Sequence, residues 1–450
     1  MKSDRHMQIH LINLGCARNQ VDSEIMTGRL EQAGHVIADD PARAEAIIIN
    51  TCCFIEDAAN ESIDTILAAA AYKQTGRCRR LIVAGCLPER YREDVRKALP
   101  EADFFMGTGA YDRIVAAIAD TTTGPVPCLL PDPDTLAPQS TDTPRSLSPG
   151  PMAYLKIAEG CDRQCTFCII PRLRGRQKSR ALPDILQEAQ SLINAGIKEL
   201  VLVGQETTRY GYDRKKDGKG LADLLAALSA LSKDRWIRFM YGHPDSLSDT
   251  ILQTVASHSN LCAYFDIPIQ HVSAEVLRRM GRPYAPSRLE ELVCRIRTQM
   301  PEAAIRTTVI VGFPGETEDD FDQLHQFIGA VPFDHLGVFT YSDAEDLASH
   351  RLPDHVPPDI AQQRRDILMD RQKTISESLN QKYLGRTVDV LLEESPETGL
   401  FIGRTMFQAP EVDGLTYVRT PASHKAIAIG QFVRTRIIDT LEYDLVGEPE

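Results

Sequence analysis

Three of the eleven cysteines in this 450-residue chain lie within eight residues of one another, and we call them the clustered cysteines: Cys161, Cys165 and Cys168. Their C-x₃-C-x₂-C spacing places three thiols in one short loop, and protein thiolates select iron–sulfur clusters, zinc or copper. A structural zinc ion takes four protein ligands, but the neighbouring sequence offers neither a histidine nor a fourth cysteine. We therefore expect a 4Fe–4S cluster with one iron open to an exchangeable ligand. The alternatives are buried structural thiols and a zinc site completed from elsewhere in the chain.

A second set of cysteines is dispersed along the sequence, but each member directly follows a predicted strand. These strand-end cysteines are Cys16, Cys52 and Cys86, which follow the segments MQIHLINLG, AEAIIINT and RRLIVAG. The carboxyl ends of parallel strands lie along one edge of a sheet, so we expect these thiols to converge as a second cluster site. Three buried structural cysteines are the alternative. Of the others, Cys128 is predicted to lie in a linker and Cys294 in the core face of a helix.

The alternation of strands and helices divides the chain into domains. Residues 1–120 alternate three strands with three helices, which predicts a doubly wound parallel sheet. Residues 121–151 are rich in Pro, Thr, Ser and Asp, as in a linker. Residues 152–382 contain six strand–helix units and predict a partial (β/α)6 barrel whose active face lies at the strand carboxyl ends. Residues 383–450 contain short strands, which predict a small antiparallel β-barrel for recognition, so the expected class is α/β with a small all-β module.

Composition restricts the classes of function. The chain has 43% hydrophobic residues and a formal net charge of −13, which argues against a surface that binds nucleic acid throughout. The sequence has no apolar run long enough to span a membrane, and its N-terminus lacks the apolar region of a secretory signal. We expect a cytoplasmic protein with no membrane partner, whose cysteines serve metal binding or catalysis rather than disulfides.

The clustered cysteines follow the first strand of the predicted barrel, and an aromatic residue, Phe167, precedes the last of them. In these features the loop resembles the radical S-adenosylmethionine superfamily. The resemblance implies that S-adenosylmethionine chelates the open iron and is cleaved to a 5′-deoxyadenosyl radical. It also implies cofactor contacts at this and other strand ends, for Phe167, Gly204, Gln205, Glu206, Gln270 and Gly312. Taken alone, a glycine such as Gly312 is more often only a turn residue.

Two three-cysteine sites in one chain narrow the resemblance. The segments NLGCARNQVDSE, NTCCFIEDAANESIDTI and AGC, with the C-terminal barrel, resemble the methylthiotransferase family and its TRAM domain. This resemblance implies two 4Fe–4S clusters, the second of which carries the sulfur to be inserted, and a one-electron donor such as flavodoxin or ferredoxin. The segments LVGQETTRYGYD, YFDIPIQHVS and APEVDGLTYVR resemble the branch that modifies the β-carbon of an aspartate in small-subunit ribosomal protein twelve, free or in the 30S subunit.

The net charge of the C-terminal segment distinguishes a ribosomal protein substrate from a tRNA substrate. From residue 382 to residue 450, seven Lys and Arg stand against eleven Asp and Glu, a net charge of −4. A module that binds tRNA is expected to be basic, whereas an acidic one suits a basic ribosomal protein, so we expect no tRNA partner. We expect Glu411 and Asp413 to take part in that docking. The alternatives are a tRNA adenosine (C2) methylthiotransferase of the MiaB type and a non-enzymatic iron–sulfur protein.

A basic segment follows the clustered cysteines and consists of Arg172, Arg174, Arg176, Lys178 and Arg180. Its charges could meet RNA, the carboxylate of the cofactor or carboxylates of the enzyme itself. A solvated basic loop is the simplest alternative, because runs of charge are commonly solvated.

Overall fold

The computed structural model describes residues 6–120, 126–140, 143–214, 218–282, 284–420 and 427–450. The chain forms two compact units, and short segments between residues 149 and 180 alternate between them. The first unit comprises Met1–Ser148, Ala158–Gln164 and Cys168–Arg180, and the second comprises Pro149–Ile157, Cys165–Phe167 and Ala181–Glu450. Within the described ranges, no helix is long and apolar enough to cross a membrane.

A parallel sheet forms the centre of the first unit. Its six strands are β1 (Gln8–Asn13), β2 (Val36–Ile37), β3 (Ala46–Thr51), β4 (Arg80–Gly85), β5 (Phe104–Met106) and β6 (Cys128–Leu129). Their order is β2-β1-β3-β4-β5-β6, and every neighbouring pair is parallel. Every residue of β3 is buried, as expected for a central strand of a sheet covered on both faces.

The sequence predicts β1, β3 and β4, whereas β2, β5 and β6 are additional strands. The strands β2 and β6 have two residues each, which is too short for a recognisable pattern of apolar residues. Cys128 was expected in the linker, but it lies in β6 and pairs with Phe105 of β5. Residues 121–125 and 141–142 of the predicted linker lie outside the described residues.

Among the described residues of this unit, the sheet is accompanied by the helices α1 (Ala17–Gln32), α2 (Glu56–Ala70), α3 (Tyr72–Thr75), α4 (Cys86–Tyr91), α5 (Glu93–Ala98), α6 (Ile114–Ala119) and α7 (Ile170–Arg174). Before α7 the chain forms β7 (Met152–Lys156) of the second unit and then β8 (Ala158–Glu159), and after α7 it forms β9 (Lys178–Ser179). Because β8 and β9 pair in antiparallel fashion, they close the base of the loop that contains the clustered cysteines.

The second unit contains the six predicted parallel strands of a partial barrel. After β7 these are β10 (Glu199–Val203), β11 (Trp236–Phe239), β12 (Tyr264–Asp266), β13 (Ala304–Val311) and β14 (His335–Thr340). They form two parallel sheets, β11-β10-β7 and β12-β13-β14, and an isolated bridge from Ile237 to Leu261 connects these. The accompanying helices are α8 (Leu182–Asn194), α9 (Leu221–Leu231), α10 (Asp249–Ala256), α11 (Ala274–Arg279), α12 (Pro286–Gln299), α13 (Glu318–Ala330) and α14 (Pro358–Asn380).

A closed five-stranded barrel ends the chain, as predicted. Its strands are β15 (Thr387–Glu397), β16 (Leu400–Arg404), β17 (Thr416–Arg419), β18 (Phe432–Thr440) and β19 (Leu445–Pro449). The barrel order is β15-β16-β17-β19-β18, and all pairs are antiparallel except β17 with β19.

Buried ion pairs join this barrel to the parallel strands of the second unit. Arg404 of β16 donates to Glu199 of β10 at 2.7 Å, and Arg238 of β11 donates to the other oxygen of Glu199 at 2.8 Å. The side chains of all three residues are at most 1% exposed. Arg404 also donates to Glu393 at 3.0 Å. Because Arg404 is buried and paired with these carboxylates, its charge does not contribute to a basic surface.

Candidate iron–sulfur and cofactor sites

The strand-end cysteines lie at the carboxyl ends of three neighbouring strands. Cys16 directly precedes α1, Cys52 follows the last residue of β3, and Cys86 begins α4 immediately after β4. β3 lies between β1 and β4, and the three strands are parallel. The loops that carry the three thiols therefore share one edge of the first sheet.

Asn19 organises this edge from the first turn of α1. Its side chain is fully buried, and Nδ2 donates to the carbonyl oxygens of Leu14 and Thr51, both at 2.9 Å. Its Oδ1 lies 3.9 Å from Sγ of Cys16 and 4.0 Å from Sγ of Cys86. One amide thus contacts two strand ends and two thiols. Asn19 is not among the predicted site residues, and its position three residues after Cys16 is the signal that could have pointed to it.

Two small residues fix the loop of Cys52. The Ser62 hydroxyl group accepts from the Cys52 backbone N–H at 3.1 Å and donates to the Cys52 carbonyl at 2.7 Å. Gly15 lies on the other side, where an added Cβ would stand 2.7 Å from Cβ of Cys52, and its φ is +95°. Only glycine combines this backbone conformation with so close an approach. Ser62 belongs to α2, within the ESIDTI segment that follows the cysteine in sequence.

The electrostatic environment differs among the three thiols. Burial raises the pKa of Cys86 to about 12, and burial also raises the pKa of Cys52. Burial acts to raise the pKa of Cys16 as well, but the nearby charges of Arg18 and Arg174, with backbone hydrogen bonds, hold it below its usual value. Cys16 therefore loses its proton to form the metal-binding thiolate more readily than Cys86 does.

Three thiols at one edge, with arginine charges beside them, fit an iron–sulfur cluster held through thiolates. Among the described residues, no group of three or more His, Cys, Asp or Glu could hold a single metal ion. A cluster does not require such a group, because each thiolate binds a different iron. The role of the strand-end cysteines as ligands stays a prediction.

Two sulfur atoms of the clustered cysteines accept from N–H groups, one within the loop and one from a distant arginine. In the first unit, the Arg163 backbone N–H lies 3.4 Å from Sγ of Cys161, and the Cys161 N–H donates to the Gly175 carbonyl at 3.0 Å. In the second unit, Nε of Arg282 donates to Sγ of Cys165 at 3.4 Å. Hydrogen bonds to sulfur and solvent exposure set the potentials of iron–sulfur clusters. Each of the three thiols is partly exposed, which fits a ligand of a cluster that must meet a cofactor.

Phe167 packs beside the same arginine. Its ring makes an edge contact with Phe313, at 6.4 Å between ring centroids, and the Arg282 guanidinium lies 5.7 Å from the centroid of Phe167. Phe167 therefore supports the side chain that donates to Cys165. The contact of Phe167 with the cofactor stays a prediction.

Gly204, Gln205 and Glu206 directly follow β10, at the carboxyl ends of the barrel strands. Glu206 is 3% exposed and accepts a hydrogen bond from the Ser246 hydroxyl at 2.6 Å. This end of a parallel barrel is where enzymes of the architecture bind their substrates. The position fits the predicted contact with S-adenosylmethionine, which stays a prediction.

Gln270 and Gly312 lie near the ends of β12 and β13. Gln270 has a φ of +68°, and its Oε1 is buried with no hydrogen-bond partner among the described residues. A buried acceptor of this kind fits a donor group on a bound ligand. Gly312 has a φ of +74°, and an added Cβ would stand 2.3 Å from Cβ of Ala361. The absence of a side chain at Gly312 therefore allows α14 to pack closely against this strand end.

The structure decides between the alternatives for part of the basic segment and corrects one expectation, that for Cys294. Arg174 and Arg180 of the basic segment are each 2% exposed, so this segment is not a solvated loop throughout. Arg174 instead meets carboxylates of the enzyme itself, Asp22 at 3.1 Å and Glu159 at 3.0 Å. Cys294 lies in α12 but is exposed, because it falls on the outer face of that helix rather than in its core.

Three family models match successive parts of the chain. They are the uncharacterized protein family UPF0004 at residues 8–107, the radical SAM superfamily at residues 155–328 and the TRAM domain at residues 384–449. The first contains the strand-end cysteines, and the second contains the clustered cysteines.

Similar proteins extend over the full length. The chain is 50% identical over 444 residues to a protein of Desulfosudis oleivorans named ribosomal protein uS12 methylthiotransferase RimO, which covers 99% of this chain and 100% of that protein. A protein of the same name from Clostridioides difficile is 44% identical and covers 98% of each chain. Among solved structures, the radical S-adenosylmethionine methyltransferase TsrM of Kitasatospora setae, with cobalamin and a [4Fe-4S] cluster bound, has a TM-score of 0.55 and 15% identity over 75% of each chain. That likeness shows the fold alone.

The fold, the domain matches and the two cysteine sets define a radical S-adenosylmethionine methylthiotransferase, an enzyme class that uses 4Fe–4S clusters and S-adenosylmethionine. Relatives that match over nearly the whole chain, at 50% and 44% identity, are named ribosomal protein uS12 methylthiotransferase RimO. The chain therefore belongs to the RimO family.

Proposed function

We propose that this enzyme inserts a methylthio group at the β-carbon of an aspartate in ribosomal protein uS12, the small-subunit ribosomal protein twelve, either free or in the 30S subunit. The observation that carries the proposal is similarity over the whole chain to proteins named for that reaction. Two separate three-cysteine sets support it, since the reaction needs both a radical and a source of sulfur.

In this proposal the clustered cysteines hold the cluster that binds S-adenosylmethionine, and the strand-end cysteines hold the second 4Fe–4S cluster. When bound, these groups would supply radical chemistry that removes a hydrogen atom from the aspartate β-carbon and the sulfur that becomes the methylthio group. The chain keeps the two roles apart by placing one set at a sheet edge and the other in a loop after β7.

Side chains of the barrel orient the cofactor. Arg282 donates to Sγ of Cys165 and is supported by Phe167, so it fixes the position of one ligand. Gln270 offers a buried, unpartnered acceptor at a strand end, which suits the amino group of S-adenosylmethionine or its ribose hydroxyls. Gly204, Gln205 and Glu206 follow another strand of the barrel, β10, and add polar groups to the surroundings of the cofactor.

tRNA is not the substrate in this proposal. The chain from residue 382 to its end has a net charge of −4, whereas phosphate contacts dominate affinity for RNA. One of its arginines, Arg404, is buried in ion pairs with Glu199 and Glu393 and so is not free to meet phosphate. A basic ribosomal protein complements this acidic module better than a polyanion does.

The enzyme also requires a one-electron donor of the flavodoxin or ferredoxin type, and we place the reaction in the cytoplasm. The structure places none of the eleven cysteines in a disulfide, which suits a reducing compartment and cysteines that bind metal. Oxidised disulfides at either cysteine set would remove the ligands.

A comparison of substrates tests this function. The reconstituted enzyme is given uS12 or 30S subunits in one reaction and tRNA that carries a modified adenosine in a parallel one, with S-adenosylmethionine and the same reductant. Mass spectrometry should find methylthio transfer to the uS12 aspartate and none to the tRNA. Transfer to tRNA alone would contradict the proposed substrate and leave the radical chemistry intact.

A further inference from the structure

Arg174 brings a guanidinium group into the interior of the first unit. Its side chain is 2% exposed. Nη1 donates to Asp22 at 3.1 Å and to Glu159 at 3.0 Å. Nη2 donates to Oδ1 of Asn19 at 2.6 Å. Arginine stays charged at any pH that a folded protein experiences, so this is a permanent positive charge.

The two ends of this guanidinium have different neighbours. The carboxylates contact Nη1, whereas Nη2 lies 4.0 Å from Sγ of Cys86. Asn19 adjoins the same end and also reaches Cys16. An N–H edge of Arg174 therefore faces the strand-end cysteines, and the compensating negative charge lies on its far side.

Within the first unit, Arg174 also lies close in the chain to Cys161 and Cys168. It ends α7, six residues after Cys168 in sequence, and the next residue, Gly175, accepts the Cys161 N–H at 3.0 Å. The segment that holds the loop of the clustered cysteines thus extends a charged donor to the strand-end cysteines. No local sequence pattern distinguishes Arg174 from the four other basic residues of its segment.

We propose that Arg174 is a positioning residue that favours the sulfur-transfer step by donating an N–H to the Cys86 sulfur and so stabilising the electron that the step leaves on the iron–sulfur group held by the strand-end cysteines. When a carbon radical joins a thiolate sulfur, the new C–S bond takes the radical electron and one sulfur electron. The second electron of the broken sulfur–iron bond is left with the iron–sulfur group, which is reduced by one electron. Donors and positive charge beside cluster sulfurs favour that reduced state. This inference rests on the proposed assignment of the strand-end cysteines as cluster ligands.

The experiment uses the full-length chain with the clustered cysteines replaced by alanine, so that the strand-end cluster is observed alone. Iron content and a redox titration followed by electron paramagnetic resonance give cluster occupancy and midpoint potential. Arg174→Gln should shift the potential to a more negative value, and Arg174→Lys, which keeps the charge, should restore most of it. Asp22→Asn removes a compensating charge and should shift the potential in the opposite direction. Arg176→Gln is the matched control, because Arg176 is an exposed arginine two residues away and should cause no shift.

An unchanged potential in Arg174→Gln, or the same shift in Arg176→Gln, would overturn the inference. If Arg174→Gln fails to retain iron, the midpoint potential of Asp22→Asn is compared with that of the parent variant. A shift of that potential to a more negative value, or no shift, would also overturn the inference. Absence of iron from the parent variant would instead refute the assignment of the strand-end cysteines, and with it both proposals. A purely structural role for Arg174 predicts no reversal of sign between the two substitutions.

Discussion

Asp413 of the C-terminal barrel accepts a hydrogen bond from the Tyr264 hydroxyl at 2.6 Å, in the interior of the second unit. The Asp413 carboxylate has no exposed surface and also lies 3.7 Å from Arg306 and 3.5 Å from His335. Tyr264 and His335 are the first residues of β12 and β14, so this carboxylate fastens the barrel to the amino ends of the parallel strands. The expectation that Asp413 meets an external basic partner is therefore wrong.

This arrangement predicts a large effect of Asp413 on stability. Asp413→Ala removes one partner from a buried polar group and should lower the free energy of unfolding by about 3 kcal/mol. Asp389→Ala is the control, because Asp389 is an exposed residue of β15 in the same barrel, and such changes stay within about 0.5 kcal/mol. Urea denaturation of both variants in parallel measures the difference. Equal stability of the two variants would show that the Tyr264 contact is not stabilising.

Exposed acidic residues of the barrel are better candidates for docking uS12. Glu394 and Glu397 of β15 are exposed, and reversing both to lysine should slow association with the basic ribosomal protein. The difference should shrink as salt rises, since exposed charges are screened within about 8 Å at physiological ionic strength. Association rates from surface plasmon resonance at two salt concentrations provide the measurement. The same reversal at Glu290 and Glu291, which are exposed on α12, is the control, and an equal effect there would indicate only a general dependence on net charge.

The contact between Gly312 and Ala361 predicts a strongly destabilising substitution. In Gly312→Ala, a positive φ costs about 1–2 kcal/mol, and overlap with α14 adds about 1–3 kcal/mol. Gly196→Ala is matched in backbone strain, with a φ of +96°, but its added Cβ meets nothing within 4 Å. Thermal unfolding should therefore show the larger loss at Gly312, and Ala361→Gly should recover part of it. Failure of that second substitution to recover stability would argue against overlap as the cause.

Iron content tests the two cluster sites. The reconstituted enzyme should hold about eight irons per chain, and replacement of either cysteine set by alanine should leave about four. Without the clustered cysteines, reductive cleavage of S-adenosylmethionine should stop. Without the strand-end cysteines, cleavage should continue at least in part while methylthio transfer is lost. Cys294→Ala is the control because Cys294 is exposed in α12, and a comparable loss of iron there would show that thiol losses are not specific.

The positions of the strand ends could be predicted from the sequence, whereas the contacts that join them could not. Cys16, Cys52 and Cys86 follow apolar runs whose alternation with helices implies parallel strands, so their common edge follows from local pattern. The contact of Arg174 with Asn19 joins residues 155 positions apart and depends on how the chain returns to the first sheet.

Buried charged residues are hard to recognise in a sequence for the same reason. Asp413 and Arg174 look like surface charges in sequence, because charged residues are rarely buried unless paired. Their partners come from distant segments, Tyr264 for Asp413 and Asp22 for Arg174, which no local periodicity shows. Short strands such as β6 were missed because two residues carry too little pattern.

The central claim is that this enzyme methylthiolates an aspartate of uS12, and peptide mass spectrometry of uS12 from cells with and without the gene tests it most directly. The aspartate should carry a methylthio group in the parent cells, lose it on deletion and regain it when the intact gene is restored. Restoration with a gene in which the strand-end cysteines are alanines should leave the aspartate unmodified. An aspartate that is modified to the same extent in the deletion strain would contradict the account.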